Sequence, residues 1–445
     1  MAAGDEIPET KFAKVGEDRI AYQVFGEGDV DLIYLSSMSD CVDGRWLWPP
    51  YASFLRHLAT RARVITFDRR GVGASDAPSG EALPSWEQHA DDVRAVLDEV
   101  ASERAVILGQ VDGGHAILFA ASHPARTKGL ILVNTSARFR AAPDYPGTDV
   151  PVEKIAHAIE RDWGTGAIGH WAVFDAAPDP AFLRWEALSQ RMSLTPSQAG
   201  RLTRFAQSLD VREALASVRV PTLVLHRQGL KLPPPEHGRY LSERIAEARF
   251  VLLEGDDVNI HREPVAETLR HIEEFLGELH GANEPDRALA AILYTDIVGS
   301  TERLSVMGDR DWRNLLDIHD AVARTMVEQH RGRIVKTTGD GILATFDGPG
   351  RAIRCALALG DALRPLGLEI RAGLHTGEVE LRGSDIAGIG AHIAARVLQA
   401  AQPGDLLVSA AVPMLVAGSG FEFADRGEHE LKGVPGRWQL FAVAT

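Results

Sequence analysis

Two stretches near the C-terminal end of the chain decide what its last third can be. Residues 293–301 read LYTDIVGST, and residues 335–341 read VKTTGDG. Each follows an apolar run that predicts a strand, so Asp296 and Asp340 are expected where a strand ends and a turn begins. Either aspartate alone would more often be a turn residue or a helix cap. Two such carboxylates together can hold a pair of divalent ions against a triphosphate.

Length and composition narrow the class of protein. At 445 residues the chain exceeds what one hydrophobic core usually serves, so two domains are expected. The formal net charge of −15 argues against non-specific binding to nucleic acid or to an anionic membrane. Cys41 and Cys355 are the only cysteines, which predicts no disulfide framework and favours a reducing compartment. No apolar run is long enough to span a membrane, and the acidic N-terminus is no signal peptide. These features predict a cytoplasmic protein.

The first two thirds alternate strands and helices, which implies a parallel sheet covered on both faces and an α/β fold. Residues 138–214 are mostly helical and interrupt that rhythm, so we expect a cap over the carboxyl edge of the sheet. Strands are predicted at 31–35, 62–67, 105–109, 130–134, 222–226 and 249–253, with helices at 86–101 and 264–279.

A second α/β unit follows a polar stretch. Residues 280–287 contain Gly and Pro, and we place a linker at 280–288 between a domain at 1–279 and a domain at 289–445. In the second domain we predict strands at 289–295, 333–338, 342–346, 368–375 and 405–409, short strands within 421–443, and helices at 310–330, 349–364 and 388–401.

Residues 10–279 resemble the α/β-hydrolase family. The resemblance is carried by DRRGVGASD at 68–76, LGQVDGG at 108–114 and SHP at 122–124, in that order. The family places its nucleophile on a Gly-x-Ser-x-Gly turn, and here that position is Val111. A register shifted by one would put Asp112 at the turn, but Gln110 would then occupy a site that needs a small residue.

The other catalytic positions of that family are also apolar here. The acid position corresponds to Leu230, the histidine position to Val258, and Ser36-Ser37 replaces the usual His-Gly of the oxyanion loop. His261 could be proposed as a substitute base, but it would have no nucleophile to serve. A triad acts as a unit, so the resemblance implies a catalytically inactive hydrolase fold. We hypothesise that Val111, Leu230 and Val258 line a cavity for an apolar or amphipathic small molecule that modulates the second domain; the alternative is that they only pack.

Residues 289–445 resemble the class III nucleotide cyclase catalytic domain, an α+β, ferredoxin-like fold. The motifs are DIVG at 296–299, KTTGDG at 336–341, RAGLHTG at 371–377 and ELKGV at 430–434. The order of the two domains resembles the hydrolase–cyclase fusions of mycobacteria and related actinobacteria. The resemblance implies conversion of ATP to 3′,5′-cyclic AMP and pyrophosphate with two divalent ions, Mg²⁺ or Mn²⁺.

The resemblance also assigns metal ligands and base-reading residues. Asp296 and Asp340 match the metal aspartates of the family, and the carbonyl of Ile297 matches its backbone ligand. Lys336 and Asp385 match the pair that contacts adenine. A lysine donor and an aspartate acceptor are complementary to adenine rather than guanine.

Four further residues are expected at the phosphates and ribose. His392 and Arg396 stand where the family has an asparagine and an arginine, and their i,i+4 spacing puts them on one helix face. The histidine departs from the family, which puts the rate and its pH dependence in doubt. Lys432 matches a triphosphate-binding lysine, and Arg371 is a further candidate for phosphate. His375, in the same strand, is expected to be structural.

In the resembled family each site lies between two catalytic domains, so the chain is expected to act as a symmetric homodimer. Two alternatives stay open. One is an active esterase or lipase in the first domain, against which three positions argue. The other is a nucleotide-binding pseudocyclase, which only the His392 departure supports.

Overall fold

The computed structural model describes residues 7–35, 37–77, 83–111, 113–168, 179–279, 287–382 and 385–444. Ser36, Asp112, part of the predicted cap at 169–178 and most of the predicted linker, 280–286, lie outside these described residues. The chain divides into two units, Met1–Pro285 and Asp286–Thr445. No helix among the described residues is both long enough and apolar enough to cross a bilayer.

The first unit is built on one eight-stranded sheet in the order β1-β2-β4-β3-β5-β6-β7-β8. The strands are β1 Lys11–Val15, β2 Asp18–Phe25, β3 Asp31–Leu35, β4 Arg63–Phe67, β5 Ala105–Gln110, β6 Thr127–Val133, β7 Thr222–Arg227 and β8 Arg249–Leu253. The strands from β4 to β8 in this order are parallel to one another, as the strand–helix alternation predicts. The fully parallel sheet that we expected is wrong at one edge, because β1 and β2 are antiparallel. They join through a tight turn, which needs no crossover helix.

Helices cover this sheet and form the insertion. They are α1 Pro49–Ala59, α2 Trp86–Glu99, α3 Gly114–Ser122, α4 Val152–Asp162, α5 Pro180–Ser193, α6 Pro196–Ser208, α7 Pro235–Arg244 and α8 Val265–Glu278. Helices α4 to α6 lie between β6 and β7 in the chain, where the cap is predicted. Two of these helices begin with a capping box, at Ser85 for α2 and at Thr195 for α6, which fixes where each one starts.

The second unit is also an eight-stranded sheet, in the order β10-β11-β9-β12-β14-β16-β15 with β13 paired to β12. Its strands are β9 Arg287–Ile297, β10 Arg333–Thr337, β11 Ile342–Phe346, β12 Ile370–Arg382, β13 Asp385–Ala387, β14 Leu406–Ser409, β15 Phe423–Glu430 and β16 Arg437–Val443. Its helices are α9 Ser300–Met307, α10 Asp309–Gln329, α11 Pro349–Leu363, α12 Ile389–Ala400 and α13 Ala411–Leu415. Among the strand pairs that the described residues form in this sheet, only β12–β14 is parallel.

The alternation of side chains along β9 divides the core of the second unit. Ala291 and Leu293 point to the face that is covered by α10 and α11. Ile292 and Tyr294 point to the opposite face, where they meet the small residues of α12. Because Asp296 continues the even-numbered series, its side chain belongs to the α12 face of the sheet.

Candidate functional site

The two aspartates of the sequence motifs lie side by side at one end of neighbouring strands. Asp296 is the penultimate residue of β9, and Asp340 lies in the turn that joins β10 to β11. Strand β11 pairs with β9, and the backbone N–H of Ile297 donates to the carbonyl of Asp340 over 2.9 Å. Gly341 permits this approach, because a Cβ there would lie 1.9 Å from the carbonyl oxygen of Thr295.

Each carboxylate is held by one neighbour. Arg371, opposite Asp296 on β12, donates from Nε and Nη2 to Asp296 Oδ2 at 2.9 and 2.6 Å. The hydroxyl of Ser300 donates to Asp340 Oδ2 over 2.5 Å. Within the described part of the chain the other oxygen of each carboxylate, Oδ1, accepts no hydrogen bond. The sequence expectation placed Arg371 on phosphate; the structure places its guanidinium on Asp296, and a phosphate contact stays a prediction.

The donor set of this pair suits a hard dication. Asp296 and Asp340 offer carboxylate oxygens, which are the ligands that Mg²⁺ and Mn²⁺ prefer. Among the described residues there is no cluster of three or more His, Cys, Asp or Glu side chains that could hold a metal ion alone. The two aspartates therefore fit ions that take their remaining ligands from backbone oxygen, water and substrate phosphate.

The two residues predicted to read the base contact each other. Lys336 Nζ lies 3.0 and 3.1 Å from the two carboxylate oxygens of Asp385, and about half of each side chain is exposed. The hydrogen bond from Lys336, followed by one from the backbone N–H of Ile386, lowers the pKa of Asp385. Tyr294 lies near this pair, and burial raises the pKa of its phenol. The structure therefore sets a cationic donor, an anionic acceptor and a ring close to one another.

The remaining predicted residues lie on α12 and in the turn between β15 and β16. His392 is exposed on α12, and Arg396 one turn later is partly buried and donates to Gln399 Oε1 over 2.6 Å. Lys432 is exposed in the turn between β15 and β16. No hydrogen bond or ion pair among the described residues joins these three to the aspartates or to the base-reading pair. His375 is buried against Ser409, with a ring nitrogen 2.7 Å from the hydroxyl, and burial lowers its pKa to about 4.

The first unit keeps the backbone of a nucleophile turn without a nucleophile. β5 ends at Gln110, and the next residue, Val111, has φ 60° in the left-handed region. A β-branched residue rarely adopts this conformation, which costs about 1–3 kcal/mol. Gly113 fits behind the turn because a Cβ there would meet the Thr135 hydroxyl at 2.7 Å. The strained residue is therefore Val111, which disfavours the shifted register; Asp112 itself lies outside the described residues.

The other two triad positions carry no catalytic group either. Leu230 is buried after β7, and Val258 contributes its backbone carbonyl to a polar network instead of a side chain. That carbonyl accepts from Gln110 Nε2 at 3.2 Å and from Asn134 Nδ2 at 3.0 Å. The other end of the Gln110 amide accepts from the Tyr34 hydroxyl. A glutamine thus ties the turn to the loop where the family has its histidine.

Sequence reasoning missed several of these partners. The positions of Tyr294 and Ser300 could have been predicted from the sequence. Tyr294 lies two residues before Asp296, so the two side chains share one face of the strand, and Ser300 is the first residue of the helix that follows the motif. The pairing of Arg371 with Asp296 could not have been predicted, because a single sequence does not show the register between strands. The sequence showed only that Gln110 is too large for the shifted register. Its hydrogen bonds to Tyr34 and to the carbonyl of Val258 become visible only in the folded structure.

Comparison with known proteins identifies a domain family for each unit. Residues 41–154 match the family model of the α/β hydrolase fold, and residues 284–445 match the model of the adenylate and guanylate cyclase catalytic domain. The chain therefore carries an α/β-hydrolase domain followed by a nucleotide cyclase catalytic domain. Of the three expected triad positions, Val111 lies within the first matched stretch, and Leu230 and Val258 lie beyond it; the paired aspartates lie within the second.

Individual relatives match one domain each. A Rhizobium meliloti protein named "Putative adenylate cyclase 3" is 34% identical over 158 residues, covering 33% of this chain and 27% of its own length. The AB hydrolase superfamily protein YisY of Bacillus subtilis is 28% identical over 203 residues, covering 42% of this chain and 72% of its own. The bromoperoxidase of Bacillus anthracis shares the fold of the first unit, with a TM-score of 0.53, 18% identity and coverage of 60% of this chain and 100% of its own. The chain spans about a quarter of the curated cyclase relative.

Proposed function

We propose that the chain is an adenylate cyclase that converts ATP to 3′,5′-cyclic AMP and pyrophosphate. In this reaction the ribose 3′-oxygen bonds to the α-phosphorus, the α–β anhydride bond breaks, and the 3′-hydroxyl proton is released. The observation that supports the proposal most is the pairing of Asp296 and Asp340 across the β9–β11 edge, joined by the 2.9 Å hydrogen bond from Ile297 to Asp340. This arrangement presents two hard anionic ligands at one edge of the sheet.

Different side chains of the chain would bind the metal ions and the adenine base. Asp296 and Asp340, with the carbonyl of Ile297, would hold two Mg²⁺ or Mn²⁺ ions. When bound, such ions lower the pKa of a hydroxyl and neutralise phosphate charge. Lys336 would donate to a ring nitrogen of adenine and Asp385 would accept from its amino group. Their mutual ion pair keeps the donor and the acceptor together until the base replaces it.

The metal aspartates are proposed to come from one copy of the chain, and the base-reading pair Lys336 and Asp385, with His392 and Arg396, from a second copy. Arg396 would stabilise charge on the α-phosphate, His392 would donate a hydrogen bond to the ribose, and Lys432 would bind the triphosphate. Within the described part of one chain no hydrogen bond or ion pair joins these three residues to the aspartate pair, which agrees with a composite site. A symmetric homodimer would then carry two such sites.

We further propose that the hydrolase-like unit regulates the cyclase rather than hydrolysing a substrate. All three triad positions carry apolar side chains, and a hydrogen-bonded glutamine ties two of the loops together. A bound amphipathic molecule in this unit would be the signal. A cavity in this unit is lined by Asp257, the residue before Val258 in the chain, and by none of the three triad positions.

A product assay tests the proposed reaction. The purified chain is incubated with ATP or GTP and with Mn²⁺ or Mg²⁺, and cyclic nucleotide is quantified by mass spectrometry. We expect cyclic AMP from the wild type, loss of at least about a hundredfold with Asp296→Asn, and no effect of Asp317→Asn, an exposed carboxylate on α10. Cyclic GMP as the main product would contradict the base assignment. Equal activity of Asp296→Asn and wild type would contradict the site.

A further inference from the structure

The hydrolase-like unit contains a groove that none of the triad positions lines. Its volume is about 810 Å³, and it runs between α1 and α8 beneath the loop that follows β8. Trp48, Phe54 and Leu269 form its apolar wall, and all three side chains are at least nine-tenths buried. An apolar wall of this kind with a few polar groups is typical of a small-molecule site.

Two polar groups in this groove have no hydrogen-bond partner among the described residues. His261 is 3% exposed, and neither of its ring nitrogens makes a hydrogen bond within the described part of the chain. Its ring stacks on Tyr51, with 3.9 Å between centroids, so the orientation is fixed by packing. The indole Nε1 of Trp48 is also buried and without a partner among the described residues. Buried polar atoms are nearly always satisfied, so both point to a missing ligand.

The charge of the groove selects the ligand's sign. Its lining carries five carboxylates against two guanidinium groups. Asp257 and Glu273 already have cationic partners in Arg262 and Arg61. The exposed carboxylates of Asp179, Asp256 and Glu263 leave the groove negative, and none of the described residues that line it is a lysine. Anionic amphiphiles are therefore disfavoured, and cationic ones are favoured.

Burial determines the protonation state of His261, and with it the hydrogen bonds that its ring can make. Desolvation, together with the neighbouring Arg262, Arg227 and Arg45, lowers the pKa of His261 to about 3. The imidazole is therefore neutral at physiological pH, with one nitrogen accepting and the other donating. A ligand that satisfies His261 and Trp48 together must bring both a donor and an acceptor.

We infer that this groove binds a cationic amphiphile whose head group carries an ammonium next to a hydroxyl oxygen, an amino alcohol with an apolar body. The ammonium donates to the imidazole of His261 and is balanced by Asp256 and Glu263. The hydroxyl accepts from the indole N–H of Trp48, and the apolar body lies against Phe54 and Leu269. This site gives the proposed regulatory role a ligand class, and binding itself does not depend on the cyclase reaction.

Calorimetric titration of the full chain tests the inference with a matched pair of probes. Phenylalaninol carries the ammonium, hydroxyl and ring; 3-phenyl-1,2-propanediol replaces only the ammonium by a hydroxyl. We expect phenylalaninol to bind at least about tenfold more tightly than the diol. Equal affinity of the two probes, or no heat from phenylalaninol at millimolar concentration, would overturn the proposal.

Variants assign the binding to this groove. His261→Phe keeps the stacked ring and removes both nitrogens, so phenylalaninol affinity should fall about tenfold to a hundredfold. Asp256→Asn with Glu263→Gln should weaken it about twofold to fivefold per carboxylate and leave the diol unaffected. Glu17→Gln, an exposed carboxylate outside the groove, is the control.

Unchanged affinity in the double variant would refute the assignment even if His261→Phe failed to fold, because both of the replaced side chains are exposed. If the chain binds phenylalaninol as expected but makes no cyclic AMP, the proposed cyclase function is contradicted and the proposed ligand site is still supported.

Discussion

Replacing Arg371 by methionine should tighten the binding of a divalent ion at Asp296. The guanidinium lies 2.6 Å from Asp296 Oδ2, so a cation on the other oxygen would sit about 5 Å from it. At the dielectric constant of water, a dication and a unit charge at about 5 Å repel by about 1.7 kcal/mol, or about 1 kcal/mol with physiological salt. Removing that charge should therefore lower the dissociation constant about fivefold to eighteenfold.

The measurement is direct binding of Mn²⁺ without nucleotide, followed by the loss of the free-ion signal in electron paramagnetic resonance. Arg364→Met is the matched control, because Arg364 is also an arginine of the second unit paired with an aspartate, Asp361, on the surface. Thermal melts by circular dichroism verify that the variants are folded. Mn²⁺ binding that is unchanged or weaker in Arg371→Met would refute the reasoning, and would indicate that the guanidinium does not compete with the ion.

Three further predictions concern both units. In the folded protein His261 is buried and neutral, with a pKa of about 3. In the unfolded chain a histidine has a pKa of about 6.5, so the unfolded state binds more protons than the folded state as the pH falls below that value. The unfolding free energy of the first unit should therefore fall by about 2 kcal/mol from pH 7 to pH 5 because of this group. Urea titrations should show this loss reduced in His261→Phe and kept in His157→Gln, and an equal loss in both variants would contradict it. Val111→Ser should hydrolyse p-nitrophenyl acetate no faster than wild type, because no base or acid partners the new hydroxyl; a clear gain would contradict an empty triad. Lys336→Met should lower kcat/KM for ATP about tenfold to a hundredfold and reduce the preference for ATP over GTP. The control variant Arg364→Met should keep both values. An unchanged nucleotide preference in Lys336→Met would count against a contact between Lys336 and adenine.

The sequence was sufficient wherever the signal is local. Apolar runs such as 31–35 and 249–253 predicted strands whose bounds the structure reproduces. The motif around Asp296 placed that residue at a strand end, because the pattern changes there from apolar alternation to a Gly-Ser turn. The two-part order of hydrolase-like and cyclase-like domains was also predicted, because several short motifs occur in sequence.

The sequence was insufficient where contacts join distant residues. The antiparallel strands β1 and β2 were missed, since DRIAYQVF mixes polar and apolar residues and shows no continuous apolar run. The salt bridge between Arg371 and Asp296 depends on β9–β12 register, which is set by packing of the whole sheet. The groove beside His261 depends on how α1 and α8 meet, and the sequence-based hypothesis instead placed the ligand on the triad positions. The roles of Arg396, His392 and Lys432 remain predictions, because they depend on a second chain.

The central claim is a cyclase site shared between two chains, and subunit mixing tests it most directly. Asp340→Ala and Arg396→Ala should each be inactive alone. After equal amounts are mixed and allowed to exchange, about half of the dimers should be heterodimers, each with one of two sites intact. Cyclic AMP production should therefore recover to about a quarter of the wild-type rate. A mixture that stays as inactive as its components, although exchange is verified by tag pull-down, would contradict the shared site.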